Sequence, residues 1–127
     1  MLIEEYFQQF REVIEACPLA ESFNVISENR STYRGFIRGQ INFVYGSILY
    51  LREFVSVEMT INREMYSYQY MDASKILIFR YDNVEHHKQL NLPNYPHHKH
   101  DGSEDNVISS NAPMLADVLN EISRLLG

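Results

Sequence analysis

All five histidines of this 127-residue chain fall within one short stretch, residues 80–100. They form two pairs and a single residue, with lysines beside them: His86, His87, His97, His98 and His100. Histidine exchanges protons near neutral pH and is the commonest metal ligand, so this density indicates acid–base chemistry or metal binding. A long polar connection whose histidines only hydrogen-bond the loop would have the same composition, and that interpretation stays open.

RNA cleavage is one reaction for which these residue types suffice. The nucleophile is the 2′-hydroxyl of the substrate, so the protein needs only a base, an acid and positive charge near the phosphate. Histidine can act as base and acid, and a carboxylate can orient an imidazole ring. The candidate catalytic residues are first His97, His98 and His100, then His86 and His87, with Arg80 and Lys99 for charge and Asp82 or Glu53 for orientation.

The same residues also fit a divalent-metal site. His98 and His100 alternate as they would on an extended segment, and His86, Asp82 or Glu53 would complete the ligand set. No zinc-finger spacing, HExxH or EF-hand pattern occurs, and neither does a phosphate-binding GxxxxGK[ST] or GxGxxG loop. No cofactor is therefore predicted, and a divalent metal at the histidines stays open as an alternative.

The elements that must position these residues follow from hydrophobic periodicity. Residues 2–17 place apolar groups three and four apart, which predicts an amphipathic helix that Pro18 ends. Residues 110–113 supply cap residues and a proline for a closing helix, whose apolar stripe runs from Leu115 to Leu126. Between the helices the period changes to two, which predicts strands near residues 23–27, 33–45, 48–57, 66–70 and 76–81.

Two details of the strands bear on packing. Gly35 and Gly39 leave room for a bulge or for a helix that lies close to the sheet. Glu53 falls among the apolar positions of its strand, and a buried carboxylate is costly unless it is paired. A functional role for Glu53, a slip of parity, or pairing with Arg52 or Arg80 would each explain it.

After Asp82 and Asn83 the pattern stops. Residues 84–110 contain prolines, a glycine and all the histidines without a sustained period, and a long connection of this kind is often functional. We therefore predict an α+β fold: an antiparallel sheet of about five strands, flanked by the N- and C-terminal helices, with a long His-rich loop before the last helix. No linker or repeat divides the chain, so residues 1–127 are expected to form a single domain.

Composition limits the class of protein. The net charge of −6 argues against a general nucleic-acid coat, although basic groups cluster locally around the histidines and at residues 30–38. A single cysteine, an N-terminus without a leader pattern and the absence of a long apolar segment predict a soluble, cytoplasmic protein without membrane contact. An exposed edge strand would allow a homodimer.

An ordered set of motifs resembles the TumE family, small toxins of bacterial and archaeal type II toxin–antitoxin pairs. The resemblance covers about residues 33–126. One departure is Glu85, which stands where the family has a proline before the first histidine pair. The motifs are Gly46-Ser47, Leu49-Tyr50-Leu51-Arg52-Glu53, Tyr66-Ser67-Tyr68-Gln69-Tyr70, Phe79-Arg80-Tyr81-Asp82-Asn83, His86-His87 and Pro96-His97-His98-Lys99-His100.

The resemblance implies a cytoplasmic, growth-inhibiting protein that a DNA-binding antitoxin neutralises. By analogy with other small toxins, it also implies RNA as the substrate. The residues and the resemblance together predict a metal-independent endoribonuclease that uses its clustered histidines. The alternative is a non-enzymatic protein whose His-rich loop binds a metal or a partner.

Overall fold

A computed structural model of the protein describes residues 1–85 and 90–127. In sequence order, one helix precedes the strands and another follows them, and the α+β class with an antiparallel sheet is confirmed. The expected number of about five strands is wrong, because the described residues form a sheet of seven. The elements are α1 (Ile3–Glu15), β1 (Ala20–Asn29), β2 (Arg34–Phe43), β3 (Ile48–Ser56), β4 (Asn62–Met71), β5 (Leu77–Asp82), β6 (His98–Asp101), β7 (Val107–Ser109) and α2 (Leu115–Leu126).

The two additional strands lie inside the segment for which the sequence predicts a long loop. β6 has four residues and β7 has three, so neither can show a sustained hydrophobic period. The buried positions of β6 are also histidines, His98 and His100, and not apolar residues. The prediction of a structureless His-rich loop is therefore wrong for 98–101 and 107–109, while His86 and His87 lie outside the described residues.

Each strand pairs antiparallel with its neighbour in sequence, which gives the order β1-β2-β3-β4-β5-β6-β7. Because side chains alternate between the two faces of a strand, the pairing register decides which residues meet on each face. One face carries the apolar positions of the strands, for example Ile37, Leu49 and Tyr70. The opposite face carries mostly polar side chains and is called the open face below.

Both helices pack on the apolar face. Side chains of α1 and α2 join the sheet residues in one buried cluster, to which each fully buried aliphatic side chain contributes about 1.5–3 kcal/mol. Gly35 lets α1 approach, since a Cβ there would lie 2.5 Å from Phe7 and 2.9 Å from Ile3. Of the two alternatives that the sequence left open, a bulge or a close helix, the structure has the close helix at Gly35. In the described part of the chain, neither helix is long and apolar enough to span a membrane.

Candidate functional site

The register aligns two neighbouring rows of side chains across the open face. Because adjacent strands are about 4.8 Å apart, successive members of a row are close neighbours. The first row brings together residues that are far apart in sequence: Ile26, Arg38, Arg52, Ser67, Asp82, His98 and Ser109. The second row consists of Asn24, Gln40, Tyr50, Gln69, Arg80, His100 and Val107.

The members of these rows on β1 to β6 form the floor of a cleft with a volume of about 660 Å³. Its described lining includes three arginines, Arg38, Arg52 and Arg80, and two histidines, but only one carboxylate, that of Asp82. The chain as a whole carries a net charge of −6. The positive charge of the cleft is therefore a local feature of the open face, of the kind that attracts anionic ligands.

At one end of the cleft a carboxylate meets two imidazoles. His98 Nε2 lies 2.9 Å from Asp82 Oδ1, and His100 Nε2 lies 3.8 Å from Asp82 Oδ2. The ring centroids of the two histidines are 5.0 Å apart. All three side chains are buried, and their ligand atoms lie within 4.8 Å of one another, so the group could hold a metal ion. The structure thus brings together these three of the predicted site residues.

Backbone carbonyls fix the orientation of both rings. His98 Nδ1 lies 2.9 Å from the carbonyl of Pro96, and His100 Nδ1 lies 2.9 Å from that of Glu104. A carbonyl oxygen only accepts hydrogen bonds, so each Nδ1 carries a proton and each Nε2 is turned toward Asp82. The short contact from His98 Nε2 to the carboxylate therefore needs a further proton, or a cation, between the two atoms.

Arg80 orients the carboxylate and is itself held in place. Its Nε donates to Asp82 Oδ2 at 3.1 Å, and its two Nη atoms donate to Glu104 at 2.6 and 2.8 Å. The hydrogen bond that Arg80 donates to Glu104 is the main reason that the pKa of Arg80 is raised, and the one that it donates to Asp82 adds to this, against the opposing effect of burial. The guanidinium predicted to face a phosphate is thus already engaged by two carboxylates, which makes Arg80 a positioning residue.

Lys99 and His97 point away from this group, because they have the opposite parity to His98 and His100. Lys99 Nζ donates to Glu121 of α2 at 2.9 Å. His97 stacks on Tyr66 with 5.8 Å between ring centroids, and its Nδ1 lies 2.8 Å from the Tyr66 hydroxyl. Burial, with further contributions from Arg63 and His98, lowers the pKa of His97. The structure therefore does not bring these two candidates into the cluster.

Glu53 also lies on the apolar face. Its carboxylate accepts a hydrogen bond from Tyr6 at 2.5 Å and another from Tyr68, which in turn accepts one from Arg63 at 2.9 Å. Burial raises the pKa of Glu53, although the two tyrosine hydroxyls and the charge of Arg63 oppose that shift. The partners expected from the sequence, Arg52 and Arg80, lie on the other face, so Glu53 is separated from the histidine cluster by the sheet.

Two arginines that line the cleft beside Arg80, Arg38 and Arg52, were not among the predicted site residues, although Arg38 belongs to the basic cluster at residues 30–38. Arg38 and Arg52 stand directly opposite each other on β2 and β3, and both are exposed. The available signal was the hairpin between these strands, because its register pairs the two polar positions. Composition alone could not reveal that pairing.

The fold and the site define a small α+β protein in which helices cover one face of an antiparallel sheet and a cationic cleft occupies the other. A comparison with protein families then identifies its family. Residues 10–126 match the family described as Toxin TumE, and the chain belongs to that family, as its motifs suggested. Comparison with curated proteins found no match, and comparison with solved structures also found none.

Proposed function

We propose that this member of a toxin family is an endoribonuclease whose reacting groups are Asp82, His98 and His100. The observation that carries the proposal is their convergence at one end of a cleft whose other described charged residues are all arginines. An RNA strand offers both the anionic backbone that arginines attract and an internal 2′-hydroxyl nucleophile. No protein nucleophile is then required.

The geometry suggests how the proton transfers are divided. The 2′-oxygen attacks the adjacent phosphorus while its proton passes to Nε2 of His100. The bond from phosphorus to the 5′-oxygen breaks, and the proton held between His98 and Asp82, 2.9 Å apart, passes to that leaving oxygen. The products are a 2′,3′-cyclic phosphate and a 5′-hydroxyl, so atoms and charge balance without an added reactant.

A metal-binding role is the second candidate, and the orientation of the imidazoles favours it. Histidines that ligate a metal commonly donate their other ring N–H to a backbone carbonyl, as His98 and His100 do here. With Asp82 they would present two nitrogens and one carboxylate, a ligand set that suits a divalent transition metal. In this case the protein either uses the metal in catalysis or binds its target without cleaving it.

The test is cleavage of RNA by the purified protein with and without a chelator. Under the proposal, cleavage persists in chelator and yields cyclic-phosphate ends. His100→Gln should lower the rate by about 10²–10⁴-fold, the usual contribution of one general acid or base. Ser103→Ala, an exposed neighbour in the β6–β7 turn, is the matched control.

Either of two results would contradict this version of the chemistry. Unchanged cleavage by His100→Gln would exclude the residue as base and point to a contaminating nuclease. Complete loss of activity in chelator, together with stoichiometric metal in the purified protein, would favour the metal-binding candidate.

Membership of a toxin family implies an antitoxin partner, and we propose that this partner also binds DNA. Induced expression of the chain alone should arrest growth, and co-expression with the product of the adjacent gene should relieve the arrest. A variant that combines His98→Gln with His100→Gln should lose toxicity at equal expression.

A further inference from the structure

Two arginines at the centre of the open face have no acidic partner in the part of the chain that the structure describes. Arg38 and Arg52 are cross-strand neighbours, and like charges in that position destabilise a sheet. Among residues 1–85 and 90–127, no carboxylate lies within 4.0 Å of either guanidinium. The other two arginines of this face differ, since Arg34 pairs with Glu64 at 2.6 Å and Arg80 pairs with Asp82.

The position of the pair relates it to the reacting groups. Arg38, Arg52, Ser67 and Asp82 occupy successive strands of one row, so Arg52 lies two strand spacings from Asp82 and Arg38 lies three. These separations are about 10 and 14 Å at the backbone. Both arginines and the carboxylate line the same cleft. The arginine pair therefore lies near the group formed by Asp82, His98 and His100 but is not part of it.

A flat side chain stands beside the pair. Tyr50 is two residues from Arg52 on β3, on the same face, and is half-buried in the floor of the cleft. Its cross-strand neighbours Gln40 and Gln69 are polar side chains that can donate and accept hydrogen bonds. An aromatic ring next to paired cations is the combination that single-stranded nucleic acids use, with a base on the ring and a phosphate on the cations.

We propose that Arg38 and Arg52 bind a backbone phosphate of single-stranded RNA and that Tyr50 stacks on an adjacent base. The strand then crosses the sheet at right angles to the β-strands, from the arginine pair toward Asp82. The identification of the ligand as RNA rests on the proposed function. The evidence for a binding site here is that Arg38 and Arg52 have no carboxylate partner among the described residues. It assigns substrate binding to residues outside the reacting group.

The experiment measures binding separately from cleavage. The probe is a short, fluorescently labelled single-stranded RNA with 2′-O-methyl groups, which removes the nucleophile and prevents cleavage. Arg38→Gln combined with Arg52→Gln should weaken binding by roughly 10-fold or more and lower the slope of log K against log salt by about one. Tyr50→Leu should weaken binding with little change in that slope, because stacking is not electrostatic.

The matched control removes the same charge elsewhere. Arg30→Gln combined with Arg124→Gln also deletes two exposed arginines, and it should bind the probe within about two-fold of the parent protein. Circular dichroism and thermal melting establish that each variant folds. If the double cleft variant does not fold, Arg52→Gln alone provides the test, with Arg52→Lys expected to restore part of the binding.

The outcomes separate this inference from the proposed function. The cleft variant is Arg38→Gln combined with Arg52→Gln, and the control variant is Arg30→Gln combined with Arg124→Gln. If both variants bind the probe equally well, the subsite is overturned, even if the parent protein cleaves RNA. If the cleft variant binds the probe more weakly and the control variant does not, the subsite is supported, even if no RNA is cleaved and the proposed chemistry fails. Failure of the parent protein to bind the probe, with binding to an acidic peptide that the cleft variant loses, overturns RNA as the ligand.

Discussion

Neighbouring residues of a single strand serve opposite faces of this sheet. His98 and His100 point into the cleft, whereas Lys99 between them contacts Glu121 of α2. The alternation of His98 and His100 was visible in the sequence, and it led to the expectation that they act together. The role of Lys99 was not visible, because a lysine among histidines looks like part of the same site until the strand is known.

Glu53 offers a prediction about pH and stability. Its pKa is raised in the folded protein, so the native state binds this proton more tightly than the unfolded state does. The stabilisation is fully present below the ordinary pKa of about 4.5 and is lost as pH rises through the folded value. The unfolding free energy of the parent protein should therefore fall, relative to that of Glu53→Gln, as pH increases above 4.5.

Urea unfolding of both proteins across a pH series measures this difference. Glu58→Gln, which changes an exposed carboxylate in the connection between β3 and β4, is the control for altered net charge. A gap between parent and Glu53→Gln that stays constant with pH, or widens in favour of the parent as pH rises, would refute the assignment. The hydrogen bonds from Tyr6 and Tyr68 would then dominate over burial.

At the scale of elements, Gly35 sets the distance between α1 and the sheet. A Cβ at this position would lie 2.5 Å from Phe7 Cζ and 2.8 Å from the backbone oxygen of Glu28. Gly35→Ala should therefore destabilise the protein by about 1–3 kcal/mol, as overpacking usually does. Denaturant unfolding measures the loss, and the transition midpoint should fall without a change in its slope.

A double-mutant cycle identifies the source of that loss. Phe7→Ala removes the ring that the new methyl group would meet, so Gly35→Ala should cost less in this background. Equal costs in both backgrounds would mean that the contacts with Glu28 of β1 and Ile3 of α1, and not the contact with the Phe7 ring, determine the need for glycine.

The elements also reveal what sequence patterns can and cannot predict. The period of the two helices and of β1 to β5 follows from apolar residues that face one core, so it could be predicted. β6 could not, because its buried positions are the histidines His98 and His100 and not apolar residues, and β7 could not, because its three residues include no buried position. The same limit applies to Glu53. Its position among the apolar residues of β3 indicated burial, but it did not indicate that Tyr6 and Tyr68 would be its partners.

The sheet divides the whole molecule into a stability face and a cleft face, and this division yields a last prediction. Ile122 of α2 is fully buried on the helix side, so Ile122→Ala should lower the unfolding free energy by about 2–5 kcal/mol. Leu125→Ala, in the same helix but 57% exposed, should change it by no more than about 0.5 kcal/mol.

Under conditions where both variants are fully folded, each should bind the uncleavable RNA probe as the parent protein does, because neither residue contacts the cleft. Binding by Ile122→Ala is measured at low temperature and is corrected for the folded fraction obtained from denaturant unfolding. A clear loss of binding per folded molecule would mean that packing of α2 sets the geometry of β5 and β6 through Tyr81 and Lys99, which both contact Glu121. Equal binding would establish that the cleft depends on the pairing of its strands and not on the packing of the core behind them.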